Sequence, residues 1–147
     1  MPEPVIICLH QPALELAEKV ASLCDGEVHG LQSRVNTIPK SFEKTKEHLR
    51  DLFQKGHPLV GICSSGILIR SLADVLSDKH TEPPVLAVAE DGSCVIPLLG
   101  GHHGANDLAR KIASGLGVFA AVTTAGDLKF GIALDQPPED LTLANPE

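Results

Sequence analysis

The apolar run Val95-Ile-Pro-Leu-Leu99 breaks into Gly100-Gly-His-His-Gly104, and a stretch with helical apolar spacing, Ala105 to Ala113, follows at once. Such a junction suits ligand binding. Gly101 and Gly104 let a bound group approach the main chain, and the unpaired N–H groups of a starting helix favour negative charge. His102, His103 and Asn106 add donors and acceptors there, and an imidazole changes protonation near neutral pH. His102 can act as a general base toward water, as a ligand contact, or as a donor that orders the loop. Two adjacent histidines cannot easily meet one metal ion, and no other ligand spacing accompanies them, so no metal site is expected.

Three further groups carry polar chemistry. Ser64-Ser-Gly66 follows an apolar run and lacks the GxSxG pattern of a nucleophile elbow, so Ser64 and Ser65 read as helix-capping residues beside Gly66. Arg70, one turn on, is either a bidentate carboxylate clamp or an ordinary exposed helix arginine. Thr123 and Thr124 read as strand-end hydroxyls that cap a turn or bind an acid group. Asp127 would repel an anionic ligand unless it pairs with His or Arg, which points to an interaction with His102.

The elements that must position these residues follow from periodicity. Val5 to Leu9 reads as a buried strand, and Pro12 opens a helix through Ala13, Leu16, Ala17, Val20 and Cys24 that Gly26 ends. Glu27 to Leu31 reads as an edge strand. Ser41 is the expected N-cap of a second helix, whose face carries Phe42, Leu49, Leu52 and Phe53 up to Gly56. Pro58 to Cys63 is a central strand, and the following helix turns Ile67, Leu68, Leu72, Val75 and Leu76 inward before Pro83-Pro84. Val85 to Ala89 and Cys94 to Leu98 flank Glu90-Asp-Gly-Ser93, a hairpin composition. A fourth helix runs from Ala105 to Gly115, and Val118 to Val122 is the last strong strand.

This alternation predicts a three-layer α/β domain around a mostly parallel sheet of about six strands with one antiparallel hairpin. Residues 1–130 form the domain, and the proline-rich, acidic residues 131–147 read as a tail or linker. Two placements of Ser64-Ser-Gly66 are open, on the same sheet edge as the glycine–histidine loop or on the opposite one. His102 and residues 123–127 are expected on one edge either way.

Composition narrows the partners. The chain has 147 residues, a net charge of −7, no Trp or Tyr and four Phe, which argues against nucleic acid because neither a basic face nor stacking rings are present. No apolar run reaches the ~20 residues of a membrane span, and the start Met1-Pro-Glu-Pro4 lacks a secretion signal, so a cytoplasmic protein is expected. Cys8, Cys24, Cys63 and Cys94 lie singly in apolar surroundings and read as buried free thiols.

Several motifs in one order resemble the N-terminal region of the cobalamin-biosynthesis family CbiG, the cobalt-precorrin-5A hydrolases: Ser65-Gly-Ile-Leu-Ile-Arg70, Asp78-Lys-His-Thr-Glu-Pro-Pro-Val85, Leu98-Leu-Gly-Gly-His-His-Gly-Ala-Asn-Asp-Leu108 and Thr123-Thr-Ala-Gly-Asp127. The resemblance covers about residues 58–134. It implies a corrin precursor rich in carboxylates as the ligand, and opening of its lactone with release of acetaldehyde. Cobalt would then enter only as part of the substrate, with no intrinsic cofactor. For such a ligand the catalytic candidates are His102 as general base and Asp127, or alternatively Thr124, as its orienter, and the candidate substrate contacts are Ser65, Gly66, Arg70, Gly101, His103, Gly104, Asn106, Thr123 and Thr124. Lys79, Arg110 and Lys111 are further positive charges nearby.

Two departures stand out. Gly104 is alone where the family usually has two glycines, and Gly126 stands where it usually has threonine. Related domains are also fused before precorrin-3B carbon-17 methyltransferase, and Phe130-Gly-Ile-Ala-Leu-Asp-Gln-Pro-Pro138 is similar to the linker of that fused form. The alternative function is therefore a non-catalytic substrate-holding module, with a methyltransferase domain or a second copy of the chain as its partner.

Overall fold

A computed structural model describes residues 2–124. The elements in chain order are β1 (Val5–Cys8), α1 (Leu14–Cys24), β2 (Glu27–Leu31), β3 (Ser41–Phe42), α2 (Thr45–Gln54), β4 (Leu59–Ile62), α3 (Ser65–Leu72), β5 (Val85–Val88), β6 (Val95–Leu99) and α4 (Ala105–Leu116). They build a six-stranded sheet in the order β3-β2-β1-β4-β5-β6. Every pairing is parallel except β5 with β6. This is the three-layer α/β architecture and hairpin that the periodicity predicts.

The layers follow from the two-residue period of a strand. On β1, Ile6 and Cys8 join a core with Val60, Ile62, Leu86 and Val88 beneath α1 and α4. Val5 and Ile7 face the other way, into a core with Leu59, Val85 and Ala87 beneath α2 and α3. The four-residue strands β1, β4 and β5 are buried at every position, because helices cover both faces.

Three expectations about the sheet are corrected. β2 is not an edge strand, because residues 41–42 pair outside it in parallel, Gly30 with Ser41 and Leu31 with Phe42. Ser41 therefore belongs to β3 and does not cap α2, which starts at Thr45 after Lys44. The apolar Phe42 reads equally well as a helix-face residue, and only the free outer edge of β2 favours a strand. Residues 118–122 do not form a strand either. They make a single parallel bridge, Val95 with Ala120, and Ala121 donates to the Val95 carbonyl at 2.8 Å.

The end of that pairing has a local cause. Val95 and Pro97 turn their backbone polar groups to the outer side of β6, since the Val95 carbonyl bonds Ala121 while that of Cys94 bonds Ala89 of the hairpin. Pro97 has no N–H to offer there, as is usual for proline on an edge strand. On α3, the helix stops at Leu72 and a 3-10 turn follows at Ala73–Val75, which leaves Leu76 exposed where it was expected inside. Cys8, Cys24 and Cys63 are buried free thiols, whereas Cys94 is half-buried.

Candidate functional site

Because β6 runs against its neighbours, its end points to the edge where the parallel strands begin. Leu99 pairs with Val85, so Gly100 arrives beside Pro83-Pro84. The backbone of Gly100 has φ 73°, and a Cβ there would lie 2.9 Å from Pro84 Cα and 3.0 Å from the Pro83 carbonyl oxygen. Only glycine fits on both counts. The Gly-Gly and Pro-Pro motifs, 16 residues apart in the chain, are thus two halves of one packed turn.

The Gly100 carbonyl accepts from the amides of His103 and Ala105, at 2.9 and 3.0 Å, which winds Gly101–His103 into one 3-10 turn. Gly104 then enters α4 with φ 103°, and a Cβ there would meet nothing closer than Pro84 Cγ at 3.9 Å. Its glycine is required by conformation rather than by crowding. The positive end of the α4 dipole opens at this turn.

Asn106 is 4% exposed and donates through Nδ2 to Thr124 Oγ1 at 2.6 Å, which draws residues 121–124 down to the same edge. Gly101 lies beside both side chains, since a Cβ on it would sit 3.5 Å from the Asn106 amide and 3.6 Å from Thr124 Cγ2. The expected placement of His102 with Thr123 and Thr124 on one edge is therefore met. Asp127 lies outside the described residues. Nδ1 of His102 is shielded from solvent.

A hollow of about 170 Å³ opens here, lined by Lys79, His80, Gly100, Gly101, His102 and His103. His80 was not singled out among the candidate contacts, although it sits in the motif 78–85. An Asx turn presents it: the Asp78 carboxylate accepts from the His80 amide at 2.9 Å, and the Asp78 carbonyl accepts from the Thr81 amide and hydroxyl. Lys79 supplies a positive charge that the glycine–histidine loop lacks. Arg110 lies one turn into α4, 3.8 Å from Asp107.

Ser65, Gly66 and Arg70 are not part of this site. They follow β4 at the opposite edge of the sheet, which settles the open placement. There the Arg70 guanidinium folds over the start of α3, and a Cβ on Gly66 would lie 2.8 Å from its Nη1. His10 Nε2 and Glu90 Oε2 lie 2.7 Å apart across that same edge. Among the described residues, no three His, Cys, Asp or Glu side chains converge to hold a metal ion, and no helix is long and apolar enough to cross a membrane.

The sequence model of a family described as "Cobalamin synthesis G N-terminal" matches residues 47–127, more than half of the chain. Two curated relatives, both named cobalt-precorrin-5A hydrolase, align with part of the chain. The one from Priestia megaterium is 39% identical over 88 residues, covering 59% of this chain and 24% of the relative. The one from Salmonella typhimurium is 41% identical over 87 residues, covering 58% and 25%. The aligned part thus spans about a quarter of those relatives. A crystal structure titled as a cobalamin biosynthesis protein G homolog from Sulfolobus solfataricus shares the fold with a TM-score of 0.62 at 20% identity, covering 82% of this chain and 36% of that one.

Proposed function

Because this chain belongs to the cobalamin synthesis G N-terminal family, we propose that its glycine–histidine edge binds one carboxylate-bearing arm of a corrin precursor in cobalamin biosynthesis. The observation that carries this reading is the convergence of Lys79, His80, His102 and His103 on one small hollow, one residue before the turn into α4. At about 170 Å³ the hollow is below the ~300–1,000 Å³ of pockets that enclose a whole drug-sized ligand, so it suits a peripheral acid or lactone while the macrocycle stays outside. A net charge of −7 repels such a ligand at long range, and short-range donors must offset this. The protein would meet this ligand in the cytoplasm.

For the hydrolase reading, His102 takes a proton from water as its oxygen bonds to the lactone carbonyl carbon. The ring C–O bond breaks to leave a carboxylate and an alcohol, with the Gly101 and Gly104 amides facing the oxyanion and Asp127 orienting His102. The second reading, a substrate-holding module working with a methyltransferase domain or a second copy, is supported by the shortened glycine loop, in which Gly104 stands alone.

The test is a titration of the purified chain with a cobalt-bound and a metal-free corrin intermediate, followed by visible absorbance. Lys79→Ala with His80→Ala is expected to weaken binding at least about tenfold, the equivalent of about 1.4 kcal/mol, and Arg70→Ala to leave it unchanged. The reverse pattern would move the site to the other edge. If His102 is the general base, His102→Ala should lower any lactone opening by the wild type by about two to four orders of magnitude, far more than it weakens binding. Acetaldehyde release by the wild-type chain alone would overturn the holding-module reading.

A further inference from the structure

On the far side of the sheet, the outer strands carry a chain of titratable groups that the proposed site does not use. Glu27 and His29 lie on β2, and His48 lies on α2. His29 Nε2 is 2.6 Å from Glu27 Oε1, and His29 Nδ1 is 2.8 Å from His48 Nε2. Lys40 Nζ reaches the same Glu27 oxygen at 2.8 Å. The His48 ring in turn stacks on Phe42 of β3, with centroids 4.5 Å apart and planes inclined by 9°. His29 is 9% exposed.

An ionised carboxylate only accepts, so His29 carries its hydrogen on Nε2. In the neutral pair, Nδ1 of His29 is then the acceptor and Nε2 of His48 the donor. One added proton is absorbed without loss, because a His29 imidazolium donates to Glu27 from Nε2 and to His48 from Nδ1. A second proton cannot be absorbed in place. It would set two N–H groups head to head across 2.8 Å and put two like charges in contact.

We propose that this His29–His48 pair is an acid-sensitive latch that holds β3 on the sheet through the stacked Phe42 while it carries no more than one proton, and releases it when it takes the second. β3 is two residues long and pairs only with β2, so beyond the backbone bonds of Gly30 to Lys40 and Gln32 to Phe42 its hold on the rest of the fold is the buried Phe42 ring, on which His48 stacks. Beside it lies a hollow of about 610 Å³ lined by Gln32, Ser41, Phe42, Glu43, Lys44, Glu47, His48 and Asp51. Once β3 leaves, the His48 imidazolium stays on α2 beside Asp51 but loses the burial that opposes its charge, which favours the open state.

The charges around the pair fix the direction. Burial, then the charge of His29, holds the His48 pKa below the ordinary imidazole value; Asp51 opposes this and Lys55 adds to it. Lys40 and then His29 hold Glu27 below the usual carboxylate range, so Glu27 stays ionised while the histidines titrate. Lys44 lies at the rim, next to Glu47. The docked state binds fewer protons than the released one, so the latch is secure above the ordinary histidine pKa and fails as pH falls.

Two-dimensional amide NMR of the full chain between about pH 8 and pH 5 tests this, with wild type, His48→Gln and His48→Ala. The Gln side chain keeps an N–H donor for His29 but cannot take the second proton. In the wild type, the amides of Gly30, Leu31, Ser41 and Phe42 are expected to shift together, the released fraction growing up to tenfold per pH unit below the second midpoint. His48→Gln should stay docked over the whole range, and His48→Ala should be released already at about pH 8. The proposal is overturned if the β3 amides ignore pH in the wild type, or if His48→Gln shows the same transition.

Discussion

The Asn106–Thr124 bond permits a prediction whose sign depends on burial. Asn106 is 4% exposed, whereas Thr124 is half-buried, so the two ends of one 2.6 Å hydrogen bond differ in what happens when the partner is lost. Thr124→Val strands an amide N–H of Asn106 in the interior, which costs about 1–3 kcal/mol. Asn106→Ala leaves a hydroxyl that can turn to water, so the bond itself accounts for only about 0.5–1.5 kcal/mol, to which lost packing adds. In the double variant no stranded donor remains. The double variant should therefore be more stable than the two single losses added together, by about 1 kcal/mol. Urea denaturation of the four proteins measures this coupling. For a chain of this size each kcal/mol corresponds to about 2–4 °C in melting temperature, which gives an independent reading. Strict additivity would refute the reasoning, because it would mean that Thr124 does not hold Asn106 and that residues 121–124 are anchored elsewhere.

Two more expectations follow from the same edge and from the core. Gly100→Ala should destabilise more than Gly104→Ala in thermal denaturation: the first adds a backbone clash with Pro83-Pro84 to a left-handed φ, whereas the second adds only the conformational cost of about 1–3 kcal/mol. Burial, then the charge of Glu90, pushes the Cys63 thiol up to about 12. The folded state therefore keeps a proton that the unfolded chain loses above about pH 9, and stability should fall with rising pH from there at up to about 1.4 kcal/mol per unit. Cys63→Ala should flatten that slope in alkaline denaturation curves.

The central strands were legible because helices cover both faces, and continuous runs such as Val5-Ile-Ile-Cys8 and Leu59-Val-Gly-Ile62 follow from that. The outer elements were not legible in the same way. Phe42 fits a helix face or a strand, and its place in β3 depends on the free side of a strand that precedes it by ten residues. Val118–Val122 has strand composition, yet the neighbour it would extend along offers Pro97 where a donor is needed. Composition predicts what a segment can do, and the partner decides whether it does.

The glycine–histidine loop, its position before a helix and its shared edge with Thr123 and Thr124 were set by the sequence alone, because chain order through one strand and one helix fixes direction. The two cores and the α/β layering were set by periodicity in the same way. Tertiary structure decided that Ser65, Gly66 and Arg70 lie at the other edge, since a hairpin and a crossover differ in direction but not in composition. It also decided that Lys79 and His80 join the loop, and that Glu27, His29 and His48 form one hydrogen-bonded chain. These groups lie up to 24 residues apart, and no local periodicity encodes contacts that arise only when separate elements pack against each other.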